Sequence, residues 1–414
     1  MSLVFPFKAV RPVKEFVKDV ASYPYDIIDS DEARKIAEGN PKSFLHVVKA
    51  EIDLSGDIDI HDDIVYEKAR QNFYNFLDEG ILFQDPRPCF YVYRQQIGDH
   101  EQYGIVACAS VDEYESSIHI KKHELTRTDK EKERTSHISD VNAQTGLVLL
   151  TYRGRKSIDR IVAKIAEGVP EYDFFADDGI SHTAWVVDDE NTINTIKEEF
   201  LRVDSLYIAD GHHRAAAAAN VAKKRRLENP VYSGSEEYNF IMVAIFPDNQ
   251  LKVMGYNRVV KDLNGLSETK FLDKVRTKFF IVDNFKETSP ERLHEFGMYL
   301  NGMWYKLKAK EDIYNESDVV EVLDVSILQN HLLKPVLGIG DSRTDDRILF
   351  VGGVKGTKEL ERLVDSGQYA VAFSMNPATL VQLMNVADAG ELMPPKSTWF
   401  EPKLRSGMFV HLLE

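Results

Sequence analysis

Residues 204–219 read DSLYIADGHHRAAAAA, and this stretch constrains the fold more than any other. The apolar run SLYIA reads as a short strand. Gly211 supplies the backbone freedom a sharp turn needs, and Ala215 to Ala219 are strong helix formers. The order is therefore strand, tight turn, helix, with the helix starting at or just after His212 and His213. A helix N-terminus carries unpaired backbone N–H groups and about half a positive charge. His212, His213 and Arg214 are unfavourable there unless an anion sits among them, so the pattern suits a phosphate or carboxylate held by the Arg214 fork and the histidine N–H groups. The plainer alternative makes Asp210 a simple N-cap with the basic residues in solvent. A metal held by His212 and His213 is disfavoured, because adjacent side chains at a helix start diverge.

A second informative stretch, 118–137, runs IHIKKHELTRTDKEKERTSH. If it is helical from about Thr126, then Arg127, Lys130, Arg134 and His137 fall on one face at spacings of three and four. A solvated helix with internal ion pairs is the competing reading. Glu124 stands where a strand gives way to that helix.

Composition narrows the class. Lys and Arg number 51 against 67 Asp and Glu, a formal net charge of −16. That balance argues against a nucleic-acid binder relying on bulk charge, yet leaves room for a local positive pocket. No apolar run approaches the ~20 residues of a membrane helix, and the first residues lack a signal-peptide core. Cys89 and Cys108 are too few for a disulfide framework or a thiolate zinc site. A cytoplasmic protein contacting neither nucleic acid nor membrane is expected.

The expected class is α/β (α+β), with mixed sheets and no internal repeat. Three segments are expected: an N-terminal α/β part over 1–105, a core over 106–260 with an insertion around 145–190, and a C-terminal α/β part over 261–414 ending in a Pro- and aromatic-rich loop. SFLHVVKAEI (43–52) reads as a strand. NFIMVAIFP and LKVMGYNRVV read as two strands of a hairpin turning at Asp248-Asn249. In the terminal loop, Lys396, Trp399 and Lys403 are candidates for a lid or for substrate contacts, because aromatic and basic loop residues often carry function. Tyr23-Pro24-Tyr25-Asp26 is either a Pro-stiffened turn or part of a pocket. Asp177, Asp178 and His182 offer metal ligands, although an Asp-Gly turn explains them equally, and no metal ligands are assigned.

His123-Glu124 before a helix, followed by a strand and Asp-Gly-His-His-Arg at 210–214, resembles the ParB/sulfiredoxin-like superfamily, and within it the free serine kinases. Six blocks along the chain, YPYDII, NPKSFLHV, HELTRTDKEKER, IADGHHRAAA, GDSRTDD and MPPKSTWFEPKLRSG, resemble the DUF1015 family, whose role is unassigned. The kinase resemblance implies a ParB-like core and phosphoryl transfer between a nucleotide (ATP or ADP, with Mg²⁺) and free serine, or the dephosphorylation of phosphoserine. It implies Glu124 as base and Asp210, His212 and His213 as catalytic residues. Gly211, Arg214, Arg127 and Lys130 would then hold phosphate or nucleotide. The resemblance departs in spacing, since Glu124 and Asp210 stand 86 positions apart. The alternative function is a nucleotide-binding regulatory protein of ParB-like type without metabolite turnover, and a homo-oligomer is an alternative to a single copy.

Overall fold

The computed structural model describes residues 4–56, 58–283 and 285–414. It is a mixed α/β protein with several sheets. The chain divides into two compact units, Met1–Leu251 with Pro402–Glu414, and Lys252–Glu401. The boundary expected near 105 thus falls within a strand of the first unit, and the last thirteen residues return to that unit.

The first unit is built on an eight-stranded sheet whose strands are β1 (Phe90–Ile97), β2 (His100–Ser110), β3 (Ile120–Lys121), β4 (Val148–Tyr152), β5 (Tyr172–Phe175), β6 (Ser181–Val187), β7 (Leu206–Asp210) and β8 (Phe240–Pro247). Their order across the sheet is β3-β7-β4-β8-β2-β1-β6-β5. The stretch 145–190 is therefore integral to the sheet, supplying β4, β5 and β6. Two helices matter for the site, α1 (Thr128–Val141) and α2 (His212–Glu228), which pack against each other. The alanines of α2 are buried, and small side chains let the helix sit close to the sheet, where they join a core including Val148, Leu150, Ile208 and Val243.

Two pairings place the site. β3 runs parallel to β7, with Leu206 opposite Ile120 and Tyr207 opposite Lys121. Parallel neighbours end on the same side, so 122–124 and 210–212 emerge together despite their separation in sequence. β7 is antiparallel to β4, and its register shifts between Ile208 and Asp210. Such an irregularity bends a strand and re-aims the next side chain, here Asp210 as it enters the turn.

Two local expectations are corrected. The segment 43–52 forms a helical turn, Leu45–Val48, and a 3₁₀ turn, Ala50–Asp53, rather than a strand. The Ser43 hydroxyl accepts the Leu45 N–H, starting the turn, and Phe44, Leu45 and Val47 are fully buried in a helical cluster with Phe73. The Asp248-Asn249 hairpin does not form. Both edges of β8 are taken, by β2 and β4, and Asp248 is tied to the end of β4 through Tyr152 O and the Gly154 amide.

The second unit carries a six-stranded antiparallel sheet, in order Phe279–Asp283, Met303–Ala309, Glu295–Leu300, Val371–Met375, Tyr256–Val260 and Ile348–Gly352. Its small core gathers Val259, Tyr299, Trp304 and Leu360. Among the described residues no helix is long and apolar enough to cross a membrane.

Candidate functional site

The expected strand, turn and helix at 204–219 is present, and α2 starts at His212. Gly211 has φ +94°, a conformation L side chains rarely adopt, and a Cβ there would lie 3.0 Å from Arg214 Nε. The glycine is needed both for the turn and because Arg214 folds back over it. No side chain caps the start of α2.

Arg214 is buried and bridges three elements. Its Nη1 donates to Leu147 O, and its Nη2 lies 3.3 Å from Asp26 Oδ2 and 3.7 Å from Asp210 Oδ1, while its Nε has no hydrogen-bond partner among the described residues. Asp210 also receives Lys403 Nζ at 3.1 Å. Burial pushes the Asp210 carboxyl up, but Lys403 and Arg214 outweigh it and hold the group well below the ordinary carboxylate range. Asp210 is thus an ionised anchor between two cations.

His212 is 4% exposed and His123 is 2% exposed, with ring centroids 4.5 Å apart. Burial holds both imidazoles neutral, pushing His123 down to about 4 and His212 well below its usual value. His212 Nδ1 lies 3.7 Å from Glu124 Oε2, and the Glu124 side chain is 37% exposed. The arrangement is a solvent-reachable carboxylate beside a buried neutral imidazole at a helix N-terminus.

His213 turns elsewhere, accepting the Arg127 backbone N–H on Nε2 at 3.0 Å. It thereby ties the start of α1 to the start of α2. The expected basic stripe on α1 is split. Arg127 grips Asp129 and is exposed, and Lys130 pairs with Glu133 at 2.7 Å. Arg134 and His137 face inward: Arg134 also pairs with Glu133 and stacks over Tyr25, 3.7 Å from the ring centre, while His137 meets Val47 O. Tyr25, Arg134, His137, Thr145, Gly146 and Arg214 line a narrow cavity of about 20 Å³, room for about one water.

Glu124, Asp210, Gly211, His212 and Arg214 come together, with His213 and Arg127 joined beside them. Of the terminal loop, Lys403 belongs to this site and Lys396 and Trp399 to the second unit. There the Lys396 ammonium lies 5.6 Å from the Tyr256 ring centre and the Trp399 indole N–H donates to Glu401. Asp178 is engaged by Arg405 and Tyr23, and His182 by Tyr93 and Arg405, so the carboxylate and the imidazole serve one partly buried network. Asp26, from the 23–26 segment weighed above as a turn or part of a pocket, and His123 also join this cluster. The signal for Asp26 was available in the charge of Arg214, which needs a carboxylate when buried.

A family model described as "Protein of unknown function (DUF1015)" matches residues 4–326. The chain belongs to the DUF1015 family. No curated protein matches this DUF1015 chain. Solved structures similar to it include a free serine kinase in complex with AMP, at 12% identity and TM-score 0.38, covering 74% of this chain and 92% of that one. A variant free serine kinase in complex with ADP aligns at 15% identity and TM-score 0.37, with coverage of 74% and 92%. SbnI with a C-terminal truncation from Staphylococcus aureus aligns at 12% and 0.37, with coverage of 73% and 85%.

Proposed function

We propose that the chain transfers a phosphoryl group between a nucleotide, ATP or ADP, and the hydroxyl of free serine, or from phosphoserine to water, giving serine and inorganic phosphate. The observation that carries this reading is the meeting of His123-Glu124 with the Asp210–Arg214 turn at the shared end of two parallel strands. Serine and the nucleotide come from the motif resemblance.

Phosphoryl transfer asks the protein for in-line positioning and charge neutralisation rather than covalent help. Glu124, half-exposed, accepts the proton of the attacking hydroxyl. The uncapped N-terminus of α2 and the Arg214 guanidinium, whose Nε is unpaired among the described residues, attract phosphate oxygens. Asp210 holds Arg214 and Lys403 in place. His213 sets the position of Arg127, which with Lys130 lines the approach of the nucleotide. Magnesium, when bound, neutralises charge on the transferring phosphates. It fits as an ion carried by nucleotide oxygens, because the nearby carboxylates of Asp26 and Asp210 are engaged by Arg214 and Lys403.

Glu124→Gln is the direct test. It removes the proton acceptor and keeps the shape, so serine-dependent turnover falls by about 10²–10⁴ while nucleotide affinity by calorimetry changes little. Equal loss of both, or undiminished turnover, contradicts the role of Glu124. Nucleotide binding with no serine chemistry in the wild type points instead to a regulatory nucleotide-binding protein.

A further inference from the structure

Phosphoryl transfer uses the Glu124 carboxylate but leaves the two buried imidazoles beside it without a task. We propose that His123, Glu124 and His212 form a binding site for one divalent transition-metal ion, of the zinc, cobalt(II) or iron(II) class. Each residue offers one ligand atom, and the three atoms lie within 4.8 Å of one another.

Burying an imidazole nitrogen without a partner costs about 1–3 kcal/mol, and His123 Nδ1 is such an atom, with no hydrogen-bond partner among the described residues. The His123 ring also hydrogen-bonds to the backbone of Ile208 in β7, an interaction that favours a proton on that nitrogen. This is how metal-binding histidines are oriented: one nitrogen held by a backbone group, the other free with its lone pair.

The donor set selects the ion. Two imidazole nitrogens and one carboxylate suit borderline transition metals, whereas magnesium and calcium prefer all-oxygen sites. Ligand atoms around such an ion sit roughly 3–3.5 Å apart, given bonds of about 2.0–2.2 Å. His212 Nδ1 and Glu124 Oε2 are at 3.7 Å, and Glu124 is the exposed member able to close the remaining distance. The two histidines, buried and in edge-to-face contact with each other, set the frame. Three protein ligands leave further positions on the ion open, as in catalytic rather than structural sites.

The proposal goes beyond the phosphoryl-transfer reading and does not rest on it. The full-length protein, stripped with chelator and free of nucleotide and serine, is titrated with Co²⁺ and followed by visible absorption, then displaced with Zn²⁺. One equivalent binds with the d–d bands of a nitrogen–oxygen site. His123→Gln and Glu124→Gln each weaken binding by at least about tenfold, whereas His61→Gln, at an exposed position, leaves it unchanged. Substoichiometric binding to the wild type overturns the proposal, as does equal affinity in Glu124→Gln. The latter variant decides alone if His123→Gln fails a circular-dichroism check of folding. Failure of serine chemistry leaves this result standing, and the converse also holds.

Discussion

Acidification from pH 7 to pH 5 is expected to destabilise the first unit by several kcal/mol, before its carboxylates titrate. His123, His137, His182 and His212 are all buried there. Burial pushes His123 to about 4 and His137 to about 3, and holds His182 and His212 well below the usual value. The unfolded chain takes up these protons near the ordinary histidine pKa of about 6.5, and the folded chain does not. Their stabilisation is therefore complete above that pH and declines as pH falls towards the folded values. Each histidine contributes a slope of up to about 1.4 kcal/mol per pH unit. Against a total stability of about 5–15 kcal/mol, four such slopes are decisive. His46 acts in the opposite direction, raised by its hydrogen bond to Asp53, but it is one group against four. Urea unfolding followed by circular dichroism at pH 7.0, 6.0 and 5.0 measures the slope. His137→Gln should flatten it by about one histidine, and a pH-independent midpoint would mean that these imidazoles are protonated in the fold.

Arg214→Ala should lower stability by about 3–5 kcal/mol, the usual cost of removing one member of a buried charge cluster. The guanidinium serves Leu147 O, Asp26 and Asp210 at once. Its loss leaves the Asp26 carboxylate without this partner and Asp210 with Lys403 alone among the cations that grip it. Affinity for phosphate or nucleotide should fall by more than about tenfold, since a charge-assisted hydrogen bond contributes about 1.5–3 kcal/mol. Arg214→Lys restores a charge but cannot span three partners, so it should recover part of the stability and little of the affinity. Denaturation and calorimetry on the three proteins separate the two effects. Unchanged anion affinity in Arg214→Ala would remove Arg214 from the binding role.

The turn at 210–214 was legible because its signals are local. An apolar run, a glycine that must take positive φ and five alanines lie within sixteen residues. The partner of that turn was legible only as a motif. What brings Glu124 beside His212 is the parallel pairing of β3 with β7, and nothing within either segment encodes the other's position. The same holds for Lys403, 193 positions from the Asp210 it grips. Spacing places Arg127, Lys130, Arg134 and His137 on one face, but periodicity does not reveal how far such a stripe dips into the core. The first two residues stay near solvent, paired with Asp129 and Glu133, while the last two are buried. Segment 43–52 shows the limit of short apolar runs, which suit a buried strand and a buried helical turn equally until length and neighbours decide.

Phosphorus NMR of the purified chain with Mg²⁺ tests the central claim most directly. L-Serine is offered with ATP or ADP, and L-phosphoserine is offered alone or with AMP or ADP. The account predicts a serine-dependent phosphoserine signal, or consumption of phosphoserine, at a rate that Glu124→Gln suppresses. Spectra that never depend on serine or phosphoserine, from protein that still binds nucleotide, would contradict it.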